Sequence, residues 1–312
     1  MNRRAGVAAA EDSDAWVVQA IVQLAREASI EISVEEVRHL EASRALLAPG
    51  TKVYVNHLPK QTWQESEAAC RAVRAAGFLP VPHLPVRLIA DEATLDRMLV
   101  QLVGRAQVDE VLLIAGDDAQ AAGPYSAVAD LLVTGALEKH GLSKVSLAGH
   151  PEGHPKVALG ELRRAEREKA ALATRAGLEV TLVTQFFFEH APFVDWVSEL
   201  RSQGVRARIV GGLAGPAGLA TLLKFAMRCG VGPSVRALSA RPSSLMHLIS
   251  EHGPEHVVRG LAQARGGGEA NFNGIHLFCF GGYLRTCEWL HRVANGRFRL
   301  NSHGGFDVVG HG

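Results

Sequence analysis

Short apolar, β-branched runs alternate along this chain with longer stretches whose apolar residues recur at helical spacing. The runs predict strands over 29–34, 53–57, 79–84, 111–116, 145–148, 180–184, 207–210 and 275–280. Between them, amphipathic patterns predict helices over 65–76, 93–103, 127–139, 162–176, 192–202 and 218–229. A crossover helix is what carries a chain back to begin a parallel strand beside the previous one. The expected fold is therefore α/β, a single (β/α)8 TIM-type barrel. A doubly wound open sheet is the alternative. The eight strands, and the lack of a Gly-x-Gly-x-x-Gly turn after the first, weigh against it.

Two additions to the barrel are expected. Trp16, Val17, Ile21, Leu24 and Ala25 fall at helical spacing and predict an extra helix over 14–28, after an Ala-rich, frayed start over 1–13. Two further helical patterns, 243–251 and 255–264, precede a Gly266-Gly267-Gly268 hinge and predict an inserted helix pair before the last strand. No linker divides the chain. The domain reading is an N-terminal tail and helix over 1–28 and a barrel over 29–312.

Composition narrows the function without naming it. Of 312 residues, 47% are hydrophobic and 21% charged, an ordinary globular balance. Lys plus Arg number 33 against 32 for Asp plus Glu, so no global field draws nucleic acid or an anionic membrane, and neither is an expected partner. Cys70, Cys229, Cys279 and Cys287 lack metal-site or disulfide-framework spacing. Reduced thiols in a cytoplasmic protein are expected.

In such a barrel the loops at the carboxyl ends of the strands build the site, and nearly every predicted strand here ends in a polar residue or glycine. The densest stretch is Ala148-Gly149-His150-Pro151-Glu152-Gly153-His154-Pro155, which breaks a strand on a stiff loop carrying two imidazoles. Others are Asn56 and His57, His83, Ala115-Gly116-Asp117, and Gln185 ahead of three consecutive phenylalanines. Glu31 lies inside the first strand, where Ile30 and Ile32 take the opposite face. A carboxyl group pointing into a barrel is desolvated, which raises its pKa and suits it to act as a general acid.

Val183-Thr184-Gln185-Phe186-Phe187-Phe188-Glu189 and the 148–155 stretch resemble the two signature motifs of the methylenetetrahydrofolate reductase family. Pro82-His83-Leu84 and Gly116-Asp117 match in order and spacing, so the likeness extends from about Ser29 to Gly282. It implies a β/α barrel that holds FAD, takes electrons from NADH or NADPH, and interconverts 5,10-methylenetetrahydrofolate and 5-methyltetrahydrofolate. On this resemblance Glu31 is the acid that protonates the folate, and Asp117 the carboxylate beside flavin and pterin. Asn56, His83, Ala115, Gly116, Ala148, His150 and His154 fall on FAD contacts, and Gln185 and Leu219 on substrate contacts. The expected partners are tetrahydrofolate one-carbon derivatives and further copies of the chain in a homo-oligomer.

The chain also departs from the family pattern. The family's Arg-Gly-Asp is Ala115-Gly116-Asp117, and a family Lys aligns with Ala173, so weakened FAD binding is expected. Two other readings follow: a flavin- or folate-binding homologue without turnover, and a metal-dependent hydrolase in which His57, His83, His150, His154 and Asp117 ligate zinc.

Overall fold

A computed structural model describes residues 2–58, 60–229 and 253–310, with side chains from 14 onward except at 219, 228 and 229. The chain opens with helix α1 (Asn2–Arg26), β1 (Ser29–Ile32), a short α2 (Leu40–Ser43), β2 (Lys52–Val55), α3 (Trp63–Ala75), β3 (Leu79–Pro85) and α4 (Glu92–Ala106). It continues through β4 (Glu110–Ile114), α5 (Val128–Leu132), α6 (Ala136–Lys139), β5 (Lys144–Gly149), α7 (Leu159–Arg175), β6 (Glu179–Phe187) and α8 (His190–Ser202). The last part comprises β7 (Arg208–Ala214), α9 (Leu219–Cys229), α10 (Glu255–Gly266), β8 (Gly274–Phe278), α11 (Tyr283–Ala294) and an antiparallel pair, β9 (Phe298–Leu300) and β10 (Phe306–Val308). Among the described residues β1 to β8 close into a barrel in chain order, every neighbouring pair parallel, including β8 beside β1. This is the (β/α)8 barrel that the hydrophobic rhythm predicts.

The strand alternation separates two environments. Ile30, Ile32, Val53, Val55, Val111, Leu113, Val145, Leu147, Leu182 and Leu277 belong with the helices to one continuous apolar core. The inward set is different: Tyr54, Val81, Leu112 and Val183 form a small separate cluster, and the remaining inward positions are largely polar. The apolar cylinder between sheet and helices stabilises the fold, which leaves the interior of the barrel open to chemistry.

Local signals fix the helix ends. Thr62 caps α3 by accepting from the Glu65 N–H, while the Glu65 carboxylate accepts from the Thr62 N–H at 2.7 Å. Asp91 accepts from the Thr94 N–H at 2.6 Å and starts α4. The single helix expected over 127–139 is two, because Gly135 turns the chain with φ of +68° between α5 and α6.

Helix α1 is longer than the expected 14–28. Its Ala-rich start, expected to fray, is helical from Asn2, in keeping with alanine's helix propensity. Of the expected inserted pair, the second helix is α10, and the first, over 243–251, lies outside the described residues. Among the described residues no helix is long and apolar enough to cross a membrane.

Candidate active site

The site begins with the side-chain alternation of β1. Ile30 and Ile32 are buried outward, and Glu31 between them turns into the barrel mouth. The chain leaving β2 puts Asn56 next to it, anchored by its own N–H to the Ile32 carbonyl at 3.1 Å. The Asn56 side-chain amide donates to Glu31 Oε1 at 3.1 Å, and His83 of β3 brings its Nε2 to 3.7 Å from Oε2. Burial pushes the Glu31 carboxyl up to about 7; the Asn56 hydrogen bond opposes this, and the nearby Glu36 carboxylate adds to it. His83 is pushed down to about 3 by burial, with His57 contributing in the same direction, so it is neutral at physiological pH. Glu31 therefore has no cation beside it and is poised to hold or release a proton near pH 7.

Deeper in the barrel, His276 of β8 accepts or donates at Nδ1 with Ser29 Oγ at 2.9 Å and meets the Tyr54 ring edge-on at 4.7 Å. Burial pushes it down to about 3 as well, His83 adding to the effect. Below it the Tyr54 hydroxyl bonds Ser146 Oγ, which donates to Glu110. Sequence reasoning passed over His276, because it lies in the apolar run of β8.

The second group lies at β4 and β5. The loop after β5 is held less by its prolines than by a clamp on α7. Glu166 Oε1 accepts the His150 N–H at 2.7 Å, and Oε2 accepts from Arg163 and from Trp196 Nε1, both at 3.0 Å. Arg163 also donates to the carbonyls of His150 and Pro151, each at 2.9 Å. Burial alone would raise the Glu166 carboxyl, but His150, Trp196 and Arg163 around it outweigh burial and hold it below the usual range.

The His150 ring stands with Nδ1 3.5 Å from Glu166, an ion-pair distance rather than a hydrogen bond, and meets the His154 ring edge-on at 5.6 Å. Burial lowers His154, with further lowering from His150 and Lys156, while Asp117 across the loop raises it. Asp117 itself is exposed, after Ala115 and a Gly116 with φ of +96°. Lys169, one turn from Glu166 on α7, donates to the Ala148 carbonyl at 3.0 Å, and burial lowers its ammonium pKa.

The third wall is aromatic. Gln185 sits where the register of β6 shifts against β7, its Oε1 accepting from the Phe186 N–H at 3.1 Å. The three phenylalanines divide: Phe187 stacks outward on Phe193 of α8, while Phe186 and Phe188 join Phe278 and Phe280 at the mouth. Leu219 begins α9 beside this wall in sequence, but its side chain lies outside the described residues.

The structure thus brings Glu31, Asn56 and His83 into direct contact and places Asp117, His150 and His154 together. No hydrogen bond or ion pair links the two groups among the described residues. His57 turns aside, bonding Ser66 Oγ at 2.9 Å and stacking on Trp63. The histidines expected for a zinc site do not converge: among the described residues no group of three or more His, Cys, Asp or Glu could hold a metal ion. Asn56 Oδ1, His83 Nε2 and His150 Nδ1 are buried without a hydrogen-bond partner. Asn56 and His83 lie beside Glu31 at the barrel mouth, where their unpaired atoms fit a ligand that carries donors and acceptors, while His150 Nδ1 faces the buried Glu166. No protein-family model matches the chain.

Proposed function

We propose that this chain is an FAD-dependent oxidoreductase of one-carbon folate metabolism that interconverts 5,10-methylenetetrahydrofolate and 5-methyltetrahydrofolate. The observation that carries the reading is Glu31, a largely buried carboxyl group at the barrel mouth, raised to about 7 and bonded to an uncharged amide. A buried acid of that strength suits a reaction that needs one proton delivered away from water. The resemblance of the 148–155 and 183–189 stretches to methylenetetrahydrofolate reductases supplies the substrate class.

The unpartnered polar atoms of Asn56 and His83 would hold FAD, together with Ala115, Gly116, Asp117, Ala148, His150 and His154. FAD supplies or accepts the hydride when bound, with NADH or NADPH as its source. The chain's own residues do the rest. Glu31 gives its proton to the folate nitrogen that leaves the methylene bridge, and Asn56 steadies the carboxylate that results. Neutral His83 places no cation beside Glu31, so the carboxyl stays protonated up to neutral pH. Phe186, Phe278 and Phe280 offer planar faces for the pterin and exclude water, and Gln185 and Leu219 are the substrate contacts that the resemblance implies. Folate chemistry driven by a nicotinamide goes with a cytoplasmic location, and assembly as a homo-oligomer belongs to the same reading.

The test is anaerobic spectroscopy of the purified protein supplemented with FAD. The expected result is a flavin spectrum, partly lost on dialysis because Ala115 stands where the family pattern has an arginine, while Ala173, the other position aligned with a cation, is buried in the core between helix and sheet. That spectrum should bleach with NADH or NADPH and separately with 5-methyltetrahydrofolate. Failure to take up FAD in excess would overturn the proposal, and flavin that ignores folate would favour a binding homologue without turnover.

A further inference from the structure

The opposite, N-terminal end of the barrel carries a cavity of about 850 Å³ that the proposed chemistry does not use. Its walls come from the starts of β1, β2, β6, β7 and β8 and from the segments leading into them. Four cations line it: Arg26, Lys52, Arg208 and Arg265, against one lining carboxylate, Glu27. Two of the four are neutralised locally. Lys52 pairs with the inward Glu110 at 2.5 Å, and Arg265 with Glu27 at 3.2 Å. The other two are not. Arg26 donates from Nε to the neutral Ala294 carbonyl at 3.0 Å, and Arg208 makes no hydrogen bond or ion pair with any described residue.

Position adds to charge. Arg208 opens β7 on the same face as Val210, so its side chain is directed to the cavity wall that Tyr54 and Thr181 also form. The Tyr54 hydroxyl is fixed from inside by Ser146 and Glu110, which makes this wall rigid. Unpaired positive charge lining a concave recess attracts an anion even where, as at Arg26 and Arg208, the side chains reach solvent, and a guanidinium fork matches phosphate oxygens two at a time. The volume is that of a small-molecule site.

We infer that this cavity binds the phosphate group of a small phosphorylated molecule, with Arg208 as its principal contact and Arg26 as the second uncompensated charge. Two net positive charges match a phosphate dianion better than a single carboxylate.

The probes are inorganic phosphate and pyrophosphate, titrated calorimetrically into the full chain at constant ionic strength set with sodium chloride. Both should bind saturably, pyrophosphate more tightly. Arg208→Ala should weaken binding at least tenfold, and Arg208→Lys, which keeps the charge but loses the fork, should fall between. Arg206→Ala, an exposed arginine outside the cavity, should bind as wild type does. Arg208 is solvent-exposed, so its removal should leave the fold intact, which circular dichroism checks. The inference is overturned if neither anion binds saturably, if Arg208→Ala binds like wild type, or if Arg206→Ala loses as much as Arg208→Ala.

Discussion

Glu31 couples catalysis and stability through one proton, and the two can be read apart. Below its ordinary value of 4.5 the carboxyl is protonated in both the folded and the unfolded chain. As pH rises through about 7 it ionises inside the barrel, so the stability conferred by the buried neutral form is lost over that window. Glu31→Gln has no such ionisation. In urea denaturation the gap between variant and wild type should widen in the variant's favour by about 3 kcal/mol from pH 4.5 to about pH 9. The same substitution removes the transferable proton. Folate reduction should fall by roughly a hundredfold or more, while reduction of bound flavin by the nicotinamide stays within a few-fold. Equal slowing of both half-reactions would mean a damaged site instead. Wild-type folate reduction should decline above about pH 7, as the acid form is depleted. Glu31 was legible in the sequence because a carboxylate between two isoleucines can only be an inward residue or a misread strand. His276 has the same alternation, between Ile275 and Leu277, and escaped notice because a neutral imidazole sits in an apolar run without announcing itself.

At the scale of elements, the histidine loop depends on helix α7 more than on its own prolines. Arg163, Glu166 and Lys169 recur at three-residue spacing and face inward, toward the loop, Trp196 of α8 and the Ala148 carbonyl. In the sequence they sit within Arg163-Arg164-Ala165-Glu166-Arg167-Glu168-Lys169, a run so dense in charge that it reads as a solvated face. Only the packing of α7 on β5 and β6 tells the buried members from the exposed ones. Gly149 shows how close that packing is, since a Cβ there would stand 2.8 Å from the Trp196 ring. Glu166→Ala would leave Arg163 buried without its closest carboxylate and strand the Trp196 and His150 N–H groups. The expected loss is about 3–5 kcal/mol of unfolding free energy, measurable by denaturant titration at pH 7. A loss under about 1 kcal/mol would show that the clamp is dispensable. Because Glu166 is held below the usual carboxylate range, its contribution should be present above pH 4.5 and fade as pH falls further.

For the molecule as a whole, the barrel was legible because eight apolar runs separated by amphipathic helices admit few closures, while elements outside that rhythm were less so. The β9–β10 pair carries no barrel signal, the beginning of α1 looks like an Ala-rich tail, and α11, the amphipathic helix that follows β8, is absent from the expected helices although Tyr283, Thr286, Cys287, Leu290 and Val293 line one of its faces. Yet α1 is part of the wall. Val17, Ile21, Leu24 and Ala25 enter the same continuous core as β8 and α11, with Ile21 and Leu24 fully buried. Its far end is pinned by Arg26 to the Ala294 carbonyl and by Glu27 to Arg265 of α10. The Trp16 ring lies against Gly266, where even one added carbon would collide with it. An appended helix and an integral one predict different unfolding. If α1 were an appendage, Ile21→Ala would loosen the helix in a separate, early transition and leave the barrel's midpoint alone. If α1 shares the barrel's core, the substitution removes a fully buried side chain from the common unit. A single transition should persist with an unchanged denaturant dependence, and its midpoint should drop by the equivalent of about 2–5 kcal/mol. Tryptophan fluorescence and far-ultraviolet circular dichroism, followed through the same titration, decide between them: coincident curves support the integral helix, and separated curves would assign α1 to a unit of its own.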